Sequence, residues 1–166
     1  MNTAVREFIW GQFGAAIDTL ENAINTCPDS LWGDRTKYHE YWYLVFHTLF
    51  WLDYYLSESH TDFRPPTPFG LEEMDPTGVL PPRVYTKEEM LTYLNHGREK
   101  ARVAVATMSD NTLKRYYDFG KVSLPIPELY LYTMRHVQHH AAQLNMILRQ
   151  QANISSHWVF RGKTAL

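Results

Sequence analysis

Cysteine is almost absent: Cys27 is the only one in 166 residues. A disulfide framework is therefore excluded, and a reducing, cytoplasmic setting is expected. Charge of one sign is lacking too. Sixteen basic residues against eighteen acidic ones give a formal net charge of −2, so no basic face announces a nucleic-acid partner. Long hydrophobic runs are missing as well. The most apolar window, Tyr41 to Leu56, carries His47 and Asp53 inside it and falls short of the ~20 residues that span a bilayer. The N-terminal residues show no basic stretch followed by an apolar run and a small-residue cleavage site, so no signal peptide is read. Internal repeats and low-complexity tracts are likewise absent.

The chain does have eight histidines, an aromatic content of 14%, and prolines that cluster. A chain of this length is expected to form one domain over 1–166, burying a core without covalent staples. Apolar residues at helical spacing predict a first helix over about Thr3–Asn25, ended by Cys27-Pro28, with Leu31 to Arg35 as loop. A second helix, apolar nearly all round, is predicted over Thr36–Ser57. Six prolines then fall between Ser59 and Tyr85, predicting a long irregular connection of the kind that forms a lid or the wall of a site. Thr86 with Glu89 three residues on reads as a capping box opening a third helix that runs to about Ser109. Leu113 to Phe119 reads as a further turn of helix. Pro125 and Pro127 precede a fourth helix, from about Pro127 to Gln151. Four long helices without a strand pattern predict an all-α four-helix bundle with a proline-rich second connection.

The fourth helix carries Arg135-His136-Val137-Gln138-His139-His140-Ala141-Ala142-Gln143. His136 and His140 are four apart, so they stack one turn above the other on one face, a spacing at which two imidazoles can chelate one ion. A catalytic metal site needs a third protein ligand and an open position. The candidate is His47, among Val45, Phe46, Leu49, Phe50 and Trp51 on the second helix. A histidine in such surroundings is hydrogen-bonded, metal-bound or beside a water-filled cavity. Tyr43, Phe50, Trp51 and Tyr54 are candidates for an apolar pocket near it, or for ordinary core. Glu40 lies two turns before His47, roughly 10 Å away and out of ligand range. Glu72, Glu73 and Asp75, in the long connection, are the carboxylates that could reach the site.

Phe46-His47-Thr48-Leu49 and His136-Val137-Gln138-His139-His140-Ala141-Ala142-Gln143-Leu144 together resemble the DinB-like (DinB/YfiT) superfamily. The likeness in helix order covers most of the chain, while the motif on the fourth helix is its specific part. Ala141-Ala142 stands where family members often carry arginine or glycine. The resemblance implies a four-helix bundle, commonly a homodimer, holding zinc or nickel through His47, His136 and His140. His139 and Gln143 then become cavity or supporting residues. It also implies a small-molecule substrate and a low-molecular-weight thiol as cosubstrate, in S-transfer or isomerisation. Three neutral imidazoles leave the ion its full charge, which acidifies bound water or binds a thiol as thiolate. A hydrolase could use the same centre. A metal-binding or dimeric module without turnover is the alternative, and it would lack an open position beside a pocket.

Overall fold

The computed structural model describes residues 2–36, 40–58, 61–119 and 122–166. Among these, four long helices dominate. Helix α1 spans Thr3–Thr26, and the Asn2 side chain caps it by accepting from the Ala4 amide at 2.9 Å. Its buried stripe runs from Trp10 and Phe13 through Ile17 and Leu20 to Ile24. A four-residue turn of helix, α2 (Asp29–Trp32), follows Pro28 in the stretch expected to be loop. Pro28 supplies the fixed φ that opens it, and Trp32 secures it by donating its indole N–H to the Tyr85 carbonyl at 2.9 Å.

Helix α3 spans Tyr41–Tyr55 and is buried on nearly every side. The start expected for it falls partly on residues 37–39, outside the described residues. Helix α4, Lys87–Ala106, begins with the predicted reciprocal capping box of Thr86 and Glu89. Helix α5, Ile126–Ala152, opens with a proline in its first turn. It closes at Asn153, whose φ of 55° is left-handed. That reversal lets the Ile154 amide donate back to the Leu148 carbonyl at 3.2 Å, satisfying an end-of-helix acceptor.

Each long helix packs on two others, α1 on α4 and α5, and α3 on the same pair. The buried aromatic, leucine and isoleucine side chains of all four meet in one continuous core. Helix α4 comes close to α3 at Gly97, where an added Cβ would sit 2.8 Å from Leu52 Cδ2. The packing of α3 on α5 places His47 opposite the histidines of α5.

The segment expected to give a further turn of helix, Leu113–Phe119, is different. A 3₁₀ turn at Thr112–Lys114 leads into strand β1, Tyr116–Phe119, which pairs antiparallel with β2, Val122–Pro125. Tyr116 is exposed and Tyr117 buried, as side chains on opposite faces of a strand are, and the pairing with β2 holds the segment extended. The hairpin feeds directly into α5, and the Ile126 amide donates to the Arg115 carbonyl at 3.0 Å.

The connection from α3 to α4 contains one 3₁₀ turn, Glu72–Met74, among its described residues. Aromatic side chains fasten it. Phe69 packs on Phe46, Tyr85 and Tyr93 with ring centroids 5.9, 4.7 and 4.4 Å away. This anchoring fixes where the following 3₁₀ turn must lie, and so fixes Glu73.

At the C-terminal end, residues 157–164 lie along α1. Gly162 donates to the Gly11 carbonyl at 2.8 Å, and Trp10 donates its indole N–H to the Thr164 carbonyl at 2.9 Å. A Cβ on Gly162 would sit 3.0 Å from the Gly14 backbone, so a side chain there would have to push the two segments slightly apart. Asp18, almost wholly buried, accepts from the Lys163 amide at 2.7 Å and pairs with Arg98. No helix among the described residues is long and apolar enough to cross a membrane.

Candidate metal centre

His47 sits mid-way along α3, and His136 and His140 sit one turn apart on α5. The three rings meet where those helices pack. Ring centroids are 4.8 Å apart for His47–His140, 5.4 Å for His47–His136 and 4.5 Å for His136–His140. One nitrogen from each ring lies within 4.8 Å of the others. All three residues are half-buried.

The outer nitrogens are spoken for in two cases. His47 Nδ1 lies 2.7 Å from Glu73 Oε2, and His140 Nδ1 lies 2.7 Å from Gln143 Oε1. An amide oxygen can only accept, so His140 carries its proton on Nδ1 and presents a lone pair at Nε2. An ionised carboxylate does the same for His47. His136 Nδ1 is buried with no hydrogen-bond partner. Lone pairs that converge without a donor between them repel one another, and a cation is their complement. The donor set therefore fits a divalent metal, with neutral nitrogen ligands suited to zinc or nickel among others.

Electrostatics point the same way. Burial, then the neighbouring imidazoles, pushes His136 down to about 3. Burial likewise pushes His140 down to about 4, against the opposing bond to Gln143. Both rings are thus neutral at ordinary pH, the state a ligand needs. Glu73 has a side chain only 4% exposed. Burial alone would raise its carboxyl, but bonds from His47, Tyr43 and Trp51 outweigh burial and hold it below the usual carboxylate range. Trp51 donates its indole N–H to the same Oε2 at 2.9 Å. A carboxylate that orients a ligating histidine from behind is a recurrent outer partner of metal-bound imidazole.

The other expected site residues fall as follows. Tyr43 faces Glu73 and lines a cavity of about 710 Å³ that His47, His140 and Gln143 also line. Trp51 supports Glu73. Phe50 is wholly buried and packs on Phe46, Tyr54 and Phe63. His139 is exposed, its ring centroid 5.0 Å from that of His140. Glu73 is the contributor that the sequence placed only among three possible carboxylates. Its signal was its position in a long connection rich in proline and bounded by aromatics. His39 and His60 lie outside the described residues. His96 is exposed and lies 3.3 Å from the buried Asp53.

A profile of the DinB superfamily matches residues 12–144. The chain belongs to the DinB superfamily. The matched span contains all three convergent histidines and ends at Leu144, the last residue of the motif on α5. DinB-superfamily proteins are metal-binding, in keeping with the arrangement of rings described above. Comparison with curated proteins and with solved structures gave no match.

Proposed function

We propose that this DinB-superfamily protein is a metal-dependent enzyme acting on a small molecule, with one divalent ion, zinc or nickel, held by His47, His136 and His140. The observation that carries this reading is the convergence of one nitrogen from each of those rings within 4.8 Å. When bound, such an ion supplies Lewis acidity, lowering the pKa of a water or thiol at its open position.

The chain's own residues set the conditions for that chemistry. Glu73 accepts a hydrogen bond from His47 Nδ1 and so directs Nε2 toward the centre. Gln143 does this for His140. The neutral rings add no charge, so the positive charge of the ion stays undiluted. His47 and His140 both line the cavity of about 710 Å³, which gives a substrate a route to the open position. A cavity of this kind suits turnover better than the alternative of a non-catalytic module.

Thiol-dependent S-transfer is favoured over hydrolysis. A hydrolase wants a base beside the attacking water, and the two carboxylates that line the cavity, Asp34 and Glu40, and one oxygen of Glu73 already accept hydrogen bonds. Glu73 holds His47. Glu40 accepts from the Trp42 indole and pairs with Arg35. Asp34 accepts from the Thr36 amide and hydroxyl. A low-molecular-weight thiol held at such an ion would lose its proton to solvent and would need no separate base of that kind. The same reading takes the four long helices as the superfamily's four-helix bundle, and the working protein as a cytoplasmic homodimer.

The test is elemental analysis of the untagged protein beside His47→Ala and His136→Ala. We expect about one equivalent of divalent metal in the parent, lost in both folded variants. A parent without metal that takes up neither zinc nor nickel overturns the reading.

A further inference from the structure

We infer that the cavity lined by His47 and His140 takes an apolar chain or ring, carried by a molecule whose other end is the metal-seeking thiol. This rests on the metal-thiol reading above and adds the chemical class of what fills the site.

The argument comes from what the lining has left to satisfy. Its charged members among the described residues are Asp34 and Glu40, and both already bond to protein groups. The Tyr41 hydroxyl donates to the Ala23 carbonyl at 2.9 Å, and the Gln143 amide oxygen is held by His140. The further polar members, Gln150 and Gln151, are uncharged. Apolar lining is in the opposite condition. Leu80 is 38% exposed and Met146 52% exposed, and both face this cavity beside Leu44 and Ile147. Large side chains left open to water along the wall of a cavity that two of the histidines also line are buried when an apolar ligand lies on them. A volume of about 710 Å³ is within the range that encloses a small molecule. A highly charged, hydrophilic thiol would meet few complementary groups here and would leave that wall wet.

The experiment uses the full chain loaded with cobalt(II), whose absorption reports a bound thiolate directly. Straight-chain thiols from ethanethiol to hexanethiol are titrated, together with glutathione as a hydrophilic thiol. Affinity should climb roughly three- to fourfold per added methylene, the gain for burying one such group. Glutathione should bind no more tightly than ethanethiol, and Met146→Gln should reduce the gain per methylene. Affinity that is flat along the series, or highest for glutathione, overturns the apolar assignment while leaving the metal–thiol reading intact. If no thiol changes the spectrum of the cobalt-loaded protein, the metal–thiol reading fails, and this assignment with it.

Discussion

Glu73 Oε2 lies 2.7 Å from His47 Nδ1, joining a connection between helices to a ligand candidate 26 residues earlier in the chain. The bond makes the order of the connection and the orientation of the imidazole one event. Neither residue can be moved without consequence for the other.

Glu73→Gln keeps the shape of the side chain but removes the charge that holds the Nδ1 proton. Outer partners of this type are worth ~10–100-fold in metal affinity. We expect a loss of that size in competition with a chromophoric chelator, with helical content unchanged. An affinity equal to the parent's would show that His47 needs no orienting group.

His139 is exposed beside His140 and outside the convergent set. His139→Ala should therefore keep the parent's metal stoichiometry and its affinity within about twofold, the scale of surface substitutions. Loss of the ion in this variant would mean that the ligands on α5 have been assigned to the wrong pair.

The depressed histidines make the metal-free protein acid-sensitive above the carboxylate range. An unfolded histidine titrates near ~6.5, whereas His136 is pushed down to about 3 and His140 to about 4. Between those values the unfolded chain binds protons that the folded chain refuses, so stability rises with pH across the window. Full stability should hold above about pH 7 and decline as pH falls from about 6.5 toward 4.5. Thermal melts of the chelator-treated protein check this, and His136→Asn should flatten the slope. A melting temperature constant across that range would contradict the assigned burial.

Asp18 ties α1 to both α4 and the C-terminal stretch through Arg98 and the Lys163 amide. Asp18→Ala leaves a guanidinium only 14% exposed with Glu21 as its remaining partner. Removing one member of a buried ion pair costs about 3 kcal/mol. Urea unfolding should give a loss of that order. A change below about 0.5 kcal/mol, the scale of surface substitutions, would show that Glu21 alone suffices.

The helices were legible because their patterns are local. The Thr86–Glu89 capping box, the prolines before α5 and the apolar period of α1 each act within a few residues, and each element stands where its pattern put it. The His136–His140 spacing was legible for the same reason. What escaped depends on distant partners. The α2 turn is held by the bond from Trp32 to the Tyr85 carbonyl, a separation of 53 residues. The hairpin at Tyr116–Pro125 is two short strands that make sense only as a pair. Glu73 could be named as one of three candidates but not chosen. The choice is made by Phe69 lodging against Phe46 and Tyr93, a packing event that leaves no periodic trace.

Gly97 contributes no ligand and lies on a helix that carries none, yet it sets how closely α4 settles on the helix that carries His47. Its missing Cβ lets α4 settle against Leu52, one and a half turns along α3 from His47. A methyl group there would meet the tip of the Leu52 side chain at 2.8 Å, a contact that a turn of that side chain can relieve. Gly97→Ala is therefore absorbed first in the side-chain packing between α3 and α4, on the side of α3 remote from His47, before any backbone that carries a histidine of the centre has to move.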